Sequence, residues 1–213
     1  PAEDGTPLGP GWVARYKNPI GEENMMRALG QQATSETFPA RVASLLGQLR
    51  AQGAESTLWS TVRHRERGYL MYGSFILSRA ENRRQVHRRV RMLDRLNEAW
   101  KLGIPIHWRH PDGWRATVEE ARRMRDAYPV VYATRSGAKR SRHYDGEAVD
   151  FTAVNLPRRL VLEAPGGARR TFDLSNPAEP RDVNLTPRLI RWIEKHFALK
   201  KLLFDYPHWN DRG

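Results

Sequence analysis

Residues 141–151 read SRHYDGEAVDF, a polar loop that runs into an apolar segment. His143 and Asp150 stand seven residues apart in this stretch, with Gly146 between them. The segment after Gly146 is apolar apart from its acids, which is typical of a β-strand. A loop histidine and a strand aspartate at this separation can meet at one point, as imidazole and carboxylate ligands of Zn²⁺ do. Two ligands are too few for such a site, so a third must come from elsewhere in the chain.

The third ligand is predicted near the end of the chain, where residues 205–209 read DYPHW. His208 would complete three protein ligands and leave the fourth tetrahedral position for water, as in catalytic zinc sites. Asp205, three residues earlier, is the candidate general base that takes a proton from the metal-activated water and passes it to the leaving amine. The alternative for Asp205 is a carboxylate that orients the His208 ring without touching the metal.

These two stretches together resemble a known enzyme family. Residues 141–150 resemble the Ser-x-His-x-x-Gly-x-Ala-x-Asp motif of the M15 family of zinc metallopeptidases, and residues 205–208 resemble its acid-x-x-His motif. The family includes D-Ala-D-Ala carboxypeptidases, D-Ala-D-Ala dipeptidases and L-alanyl-D-glutamate endopeptidases, and the Hedgehog signalling domain is a structural relative. The Asp-x-Pro-His form of the second motif is similar to the endopeptidases of phage endolysins. The resemblance therefore implies a peptidoglycan endopeptidase, with a D,D- or L,D-carboxypeptidase or a non-catalytic zinc-binding recognition domain as alternatives.

The resemblance also implies residues that contact the substrate. The family carries Ser-x-x-Arg on an upstream strand, with the arginine near the scissile carbonyl, and residues 60–63 are similar to it, which assigns catalysis and substrate binding to Arg63. The gap from Arg63 to His143 is longer than in compact members, so Arg135 is an alternative for the same role. Ser141 is a further candidate for substrate binding, or it hydrogen-bonds within its own loop.

The hydrophobic periodicity predicts helices first and strands later in the chain. Helices are predicted at 22–31, 38–52, 69–77, 80–102, 117–128 and 186–197, and strands at 58–63, 130–134, 148–151, 158–163, 169–174 and 201–204. This order predicts an α+β fold with a small, mostly antiparallel sheet and helices packed on one side. The resemblance implies a Hedgehog or D-Ala-D-Ala peptidase-like version of it. The predicted organisation is an N-terminal arm with a helical extension at 1–55 and a zinc peptidase domain at 56–213, with a helical insertion at about 79–115.

The chain is strongly basic, with 36 Lys and Arg against 24 Asp and Glu in 213 residues, a net charge of +12. Such a charge predicts an anionic partner, which is a nucleic acid, anionic lipid headgroups or an acidic cell-wall polymer. The family resemblance implies peptidoglycan. No nucleic-acid-binding motif is present, so no nucleic acid is expected. The predicted helix 80–102 carries a basic stripe, which is either a solvated face or a surface that contacts anions. The stripe consists of Arg84, Arg88, Arg91 and Arg95.

The chain has no cysteine, which excludes disulfides and cysteine-ligated zinc. No apolar run is long enough to predict a transmembrane segment. The sequence begins at Pro1 without a methionine, which suggests either a trimmed chain or a mature form from which an upstream signal or anchor was removed. The expected location is the bacterial cell envelope, periplasmic or secreted, where an envelope protein is a further candidate partner.

Overall fold

The computed structural model describes residues 6–17 and 37–212, and it confirms the α+β class. The predicted helix 22–31 lies outside the described residues. In chain order, the described residues form β1 (Thr6–Pro7), α1 (Trp12–Arg15), α2 (Phe38–Ala51), β2 (Glu55–Ser60), α3 (Arg65–Ser78), α4 (Arg83–Ala99), β3 (Ile106–His107), α5 (Trp114–Ala127), α6 (Arg135–Arg140), a 3₁₀ helix (Arg142–Asp145), β4 (Ala148–Val154), β5 (Arg159–Glu163), β6 (Arg169–Asp173), α7 (Pro187–Phe197), β7 (Lys200–Lys201) and β8 (His208–Asn210).

The chain divides into two compact units, each assembled from segments that are distant in the sequence. We call residues 1–19 and 63–144 the helical unit, and residues 20–62 and 145–213 the sheet unit. Each unit has a hydrophobic core of its own. The sequence analysis placed the start of a peptidase domain after residue 55. That boundary stays a prediction.

The sheet unit is built on a four-stranded antiparallel sheet with the strand order β2-β4-β8-β7. Burial alternates along its inner strand β4: Val149, Phe151 and Ala153 are buried, whereas Asp150 and Thr152 are half-buried. Because successive side chains of a strand point to opposite faces, Asp150 lies on the face opposite the core. The hairpin predicted at 158–163 and 169–174 is confirmed as the antiparallel pair β5–β6.

Helices α2 and α7 contribute to the core of the sheet unit. The predicted helix 38–52 is confirmed as α2, and its apolar positions are buried at Val42, Leu45, Leu46 and Leu49. The side chain of Thr37 caps its first turn by accepting a hydrogen bond from the Ala40 amide at 3.4 Å. The predicted helix 186–197 is confirmed as α7.

The helical unit packs α3, α4 and α5 around buried aromatic side chains. The Tyr69 hydroxyl accepts a hydrogen bond from the Trp108 indole at 2.7 Å and donates one to the Leu93 carbonyl at 3.0 Å. Helix α4 buries an apolar stripe at Val86, Val90, Leu93 and Leu96. Its opposite side faces solvent, because the two faces of an amphipathic helix separate at a period of 3.6 residues.

Two local predictions in the helical unit are wrong. Residues 130–134 form no strand; Val131 is 91% exposed, and the chain continues directly into α6. Helix α5 begins at Trp114 rather than after Thr117, because Gly113 adopts a φ of +98° that turns the chain into the helix. The Thr117 hydroxyl instead donates back to the Gly113 carbonyl at 2.9 Å.

No helix in the described part of the chain has both the length and the apolar character needed to cross a membrane.

Candidate metal centre

The three predicted ligands come together in the structure. One ligand atom from each of His143, Asp150 and His208 lies within 4.8 Å of the other two. Both histidines are buried, and Asp150 is half-buried. Ligands about 2.1 Å from a shared tetrahedral ion lie about 3.4 Å apart, so this spacing suits a common ion. The group could therefore hold a metal ion, with three protein ligands and room for a fourth.

The pairing of β4 with β8 sets Asp150 directly opposite His208. The His208 Nδ1 atom lies 3.0 Å from the Asp150 Oδ1 atom. The His208 Nε2 atom lies 3.3 Å from the side-chain amide nitrogen of Asn210. When Nδ1 carries the proton, the ring donates to Asp150 and accepts from Asn210. A metal ion bound by Nδ1 would replace that proton, so the pair is already aligned for ligation.

His143 is held by hydrogen bonds of its backbone in the 3₁₀ helix. Its amide donates to the Ser141 hydroxyl at 3.4 Å, and its carbonyl accepts from the Arg63 amide at 3.0 Å. The Ser141 carbonyl accepts from the Tyr144 amide at 3.0 Å, which closes the turn. Ser141 thus hydrogen-bonds within its loop, as one of the two interpretations of the sequence predicted. Its role in substrate binding stays a prediction.

Gly146 leads the chain from the 3₁₀ helix into β4. It adopts a φ of +73°, a left-handed conformation that glycine tolerates best. An added Cβ would only touch Val62 at 3.7 Å, which is ordinary van der Waals contact. The backbone conformation, rather than a lack of space, therefore favours glycine here.

Tyr144, next to His143, is packed tightly against α3. Its hydroxyl donates to the Ala138 carbonyl at 2.9 Å, and a Cβ added at Gly68 would come within 1.8 Å of the hydroxyl oxygen. Burial raises the pKa of Tyr144 to about 12, although Arg63 and Arg65 lower it. The sequence analysis did not single out this residue, because a lone tyrosine in a loop carries no signal of its contacts.

Asp205 begins the turn that leads into β8. Its carbonyl accepts a hydrogen bond from the His208 amide at 3.1 Å, and its own amide donates to Leu202 at 3.0 Å. The residue is exposed, and it lies on the turn that carries the last candidate ligand. Its role as a general base stays a prediction.

Lys201 is buried beneath the same turn, and the sequence analysis missed it. Its ammonium group donates to the carbonyls of Leu202, Asp205 and His208 at 3.0, 2.7 and 3.3 Å. Burial lowers the pKa of Lys201 to about 8, although Asp205 and Asp150 raise it. A lysine at the end of a short strand gives no sign in the sequence that it is buried.

A second network connects the turn to the loop before α7. The Tyr206 hydroxyl donates to an Asp182 carboxylate oxygen at 2.5 Å. The Asn184 side chain donates to the Phe151 carbonyl at 2.9 Å and accepts from the Trp209 indole at 2.7 Å. Since Phe151 lies on β4 and Trp209 on β8, Asn184 links the two strands that carry Asp150 and His208.

The two arginines predicted to contact the substrate lie at different places in the helical unit. Arg63 is half-buried, and its amide is the hydrogen-bond donor to His143. Arg135 is exposed at the first residue of α6, where its charge lowers the pKa of Tyr72 against the larger raising effect of burial. The proposed contacts of both arginines with a substrate stay predictions.

No protein-family model, curated protein or solved structure matches this chain. The case for a metal site therefore depends on the convergence of His143, Asp150 and His208. The family resemblance depends on the two short motifs alone.

Proposed function

We propose that this chain is a zinc-dependent peptidoglycan peptidase of the M15 type, an endopeptidase that hydrolyses stem or cross-link peptides in the bacterial cell envelope. The observation that carries the proposal is the convergence of His143, Asp150 and His208, with Asp205 three residues before the last of them. A Hedgehog-like arrangement of the sheet and helices is part of the same proposal.

Each residue has a distinct chemical task in this proposal. Zinc bound by two imidazoles and one carboxylate supplies a Lewis acid and lowers the pKa of a coordinated water to about 7. The three ligands carry only one negative charge between them, so the site keeps a positive charge that favours a substrate carbonyl oxygen. Asp205 accepts the proton of the attacking water and delivers it to the leaving amine. The guanidinium of Arg63 holds the substrate through its carbonyl or carboxylate oxygens.

A second candidate is a recognition domain that binds zinc and does not catalyse. This alternative needs only the three candidate ligands that converge in the structure, and it needs no general base. The two candidates share the metal ligands and differ in what Asp205 does.

The first experiment measures zinc content and peptidoglycan cleavage together. The wild-type protein should bind one zinc per chain and release new muropeptides, identified by mass spectrometry. His143→Ala should lose both properties. Asp205→Asn should keep the zinc and lose cleavage by at least about 100-fold, the usual scale for loss of a general base. Asp173→Asn is the charge-matched control on β6, and it should retain both.

The results separate the candidates. Zinc binding without cleavage by the wild-type protein would identify a recognition domain. Cleavage by Asp205→Asn at the wild-type rate would refute the assignment of the base, and wild-type protein without stoichiometric zinc would refute the whole proposal. New amino termini within the peptides indicate an endopeptidase, whereas release of single terminal D-alanine residues indicates a carboxypeptidase.

A further inference from the structure

The net positive charge of this chain comes from one of its two units. Residues 63–144 contain 20 Lys and Arg against eight Asp and Glu, a net charge of +12 that equals the net charge of the whole chain. The sheet unit, with 14 basic and 14 acidic residues, is neutral. Of the 20 basic residues at 63–144, the proposed peptidase chemistry uses Arg63, with Arg135 as the alternative, so it leaves most of the positive charge without a function.

Helix α4 carries the most regular part of this charge. Arg84, Arg88, Arg91 and Arg95 are all exposed. At about 100° per residue they fall within an arc of about 60°, and at 1.5 Å per residue they extend over about 16 Å. The opposite face of α4 is buried, so the four side chains form one row on a helix that lies flat on the unit. We call these four residues the arginine row.

The arginine row differs in its ion pairing from the arginines in the second half of α5. On α5, Arg122 and Arg123 form ion pairs with Glu119 and Glu120 at 3.5 and 2.6 Å. Within residues 6–17 and 37–212, no carboxylate forms an ion pair with any arginine of the row. The first eleven residues of α4 contain no acid; Asp94 and Glu98 are confined to its C-terminal part.

The surroundings of His87, inside the row, show the same positive field. Partial desolvation lowers the pKa of His87 most, and the charges of Arg109, Arg83 and Arg91 lower it further. Like charges held this close are tolerated when an anionic partner neutralises them. Arginine suits such a partner, because its guanidinium forms paired hydrogen bonds with phosphate or carboxylate oxygens.

We propose that the arginine row is a docking surface for a linear polyol-phosphate polymer of the cell envelope, such as a poly(glycerol phosphate) chain. A phosphodiester polymer carries one charge in every repeat unit, so a single flexible strand can place successive phosphates along the row. The proposal relies on the proposed peptidase function only for the location of the polymer in the envelope.

Nucleic acids carry the same phosphodiester charge, but the row suits them less well. Proteins that bind single strands without sequence preference combine a basic surface with aromatic side chains on which the bases stack. Helix α4 contains no Phe, Tyr or Trp between Arg83 and Ala99. A polymer without bases does not need such stacking side chains, and duplex DNA is one of the outcomes that the binding test decides.

The test compares two double variants that remove the same charge. Arg88→Gln/Arg91→Gln breaks the row, and Arg122→Gln/Arg123→Gln removes two paired arginines from α5. Binding to synthetic poly(glycerol phosphate) is measured by calorimetry at several salt concentrations. The row variant should bind at least about tenfold more weakly, and its slope of log K against log salt should fall by about one to two. The α5 variant should stay within about twofold of the wild type.

Other measurements decide between the partners and keep the proposal separate from the peptidase. Arg84→Gln/Arg95→Gln should repeat the effect, and circular dichroism should show that both row variants are folded. Equal weakening by the α5 variant would refute the row as the docking surface, and so would tighter binding to single-stranded or duplex DNA of matched charge. His143→Ala and metal-free protein should bind the polymer as the wild type does, so failure of the zinc chemistry leaves this result unchanged.

Discussion

At the scale of single residues, the sequence predicted the candidate ligands better than the residues that hold them in place. His143, Asp150 and His208 could be predicted because zinc accepts few kinds of ligand and the spacing limits which residues can converge. Lys201 could not be predicted, because its role depends on three carbonyls of a turn that exists only after β7 pairs with β8. Contacts of this kind are set by tertiary structure and leave no periodic pattern.

Lys201 gives the chain a specific dependence of stability on pH. In the folded state burial lowers the pKa of its ammonium to about 8, against an ordinary value of 10.5. Between these pH values the unfolded chain binds a proton that the folded chain does not, so stability rises with pH. In the presence of a chelator, the free energy of unfolding of the wild type should rise relative to that of Lys201→Met above about pH 8. The rise should be at most about 1.4 kcal/mol per pH unit.

Urea unfolding at several pH values measures this slope, and Lys200→Met is the matched control. Lys200 is the exposed neighbour of Lys201 on β7. Its replacement should give a difference that does not change over the same pH range. A flat profile for Lys201→Met as well would mean that Lys201 ionises like a lysine on the surface.

At the scale of elements, the close contact between α3 and the 3₁₀ helix links the helical core to the first metal ligand. A Cβ on residue 68 would overlap the Tyr144 hydroxyl at 1.8 Å, so the Tyr144 side chain must shift, and we expect the adjoining His143 to shift with it. Gly68→Ala should lower the free energy of unfolding by about 2 kcal/mol, as overpacking does. It should also weaken zinc binding by about tenfold, because a displaced imidazole loses its alignment.

Thermal unfolding and competition for zinc with a chromogenic chelator measure both effects. Gly47→Ala is the control: Gly47 is exposed on α2, and nothing lies within 4 Å of an added Cβ. It should stabilise the chain by about 0.5–1 kcal/mol, because alanine is the better helix former, and leave zinc binding unchanged. Adding Tyr144→Phe to Gly68→Ala removes the nearest atom, so it should restore part of the zinc affinity. Unchanged zinc binding by Gly68→Ala would show that His143 does not depend on this contact.

Elements with a clear hydrophobic period were predicted, whereas the shortest strands, which depend on long-range pairing, were not. Helices α2 and α4 follow the 3.6-residue pattern, and their buried faces agree with it. Residues 130–134 are rich in β-branched and aromatic residues, which favour a strand, but no partner strand pairs with them among the described residues. Strand β8 has only three residues, and its position is set by its register with β4 rather than by its own sequence.

At the scale of the whole molecule, composition gave the charge but not its distribution. The net charge of +12 suggested an anionic partner for the chain as a whole. The division into units shows that the neutral sheet unit contributes Asp150 and His208, whereas the helical unit carries all of the excess charge. Charge and chemistry therefore support separate proposals, one for the arginine row and one for the metal centre.

This uneven charge makes the stability of the two units respond differently to salt. Repulsion between like charges acts over about 30 Å at 0.01 M salt and about 8 Å at 0.15 M. Raising NaCl between these concentrations should slow amide hydrogen exchange in α4 and α5, because screening relieves the repulsion within the helical unit. Exchange in β4 and β8 should change little, since the basic and acidic residues of the sheet unit are equal in number. Exchange followed by mass spectrometry reports both units in one sample, and an equal response in the two would show that self-repulsion does not limit the stability of the helical unit.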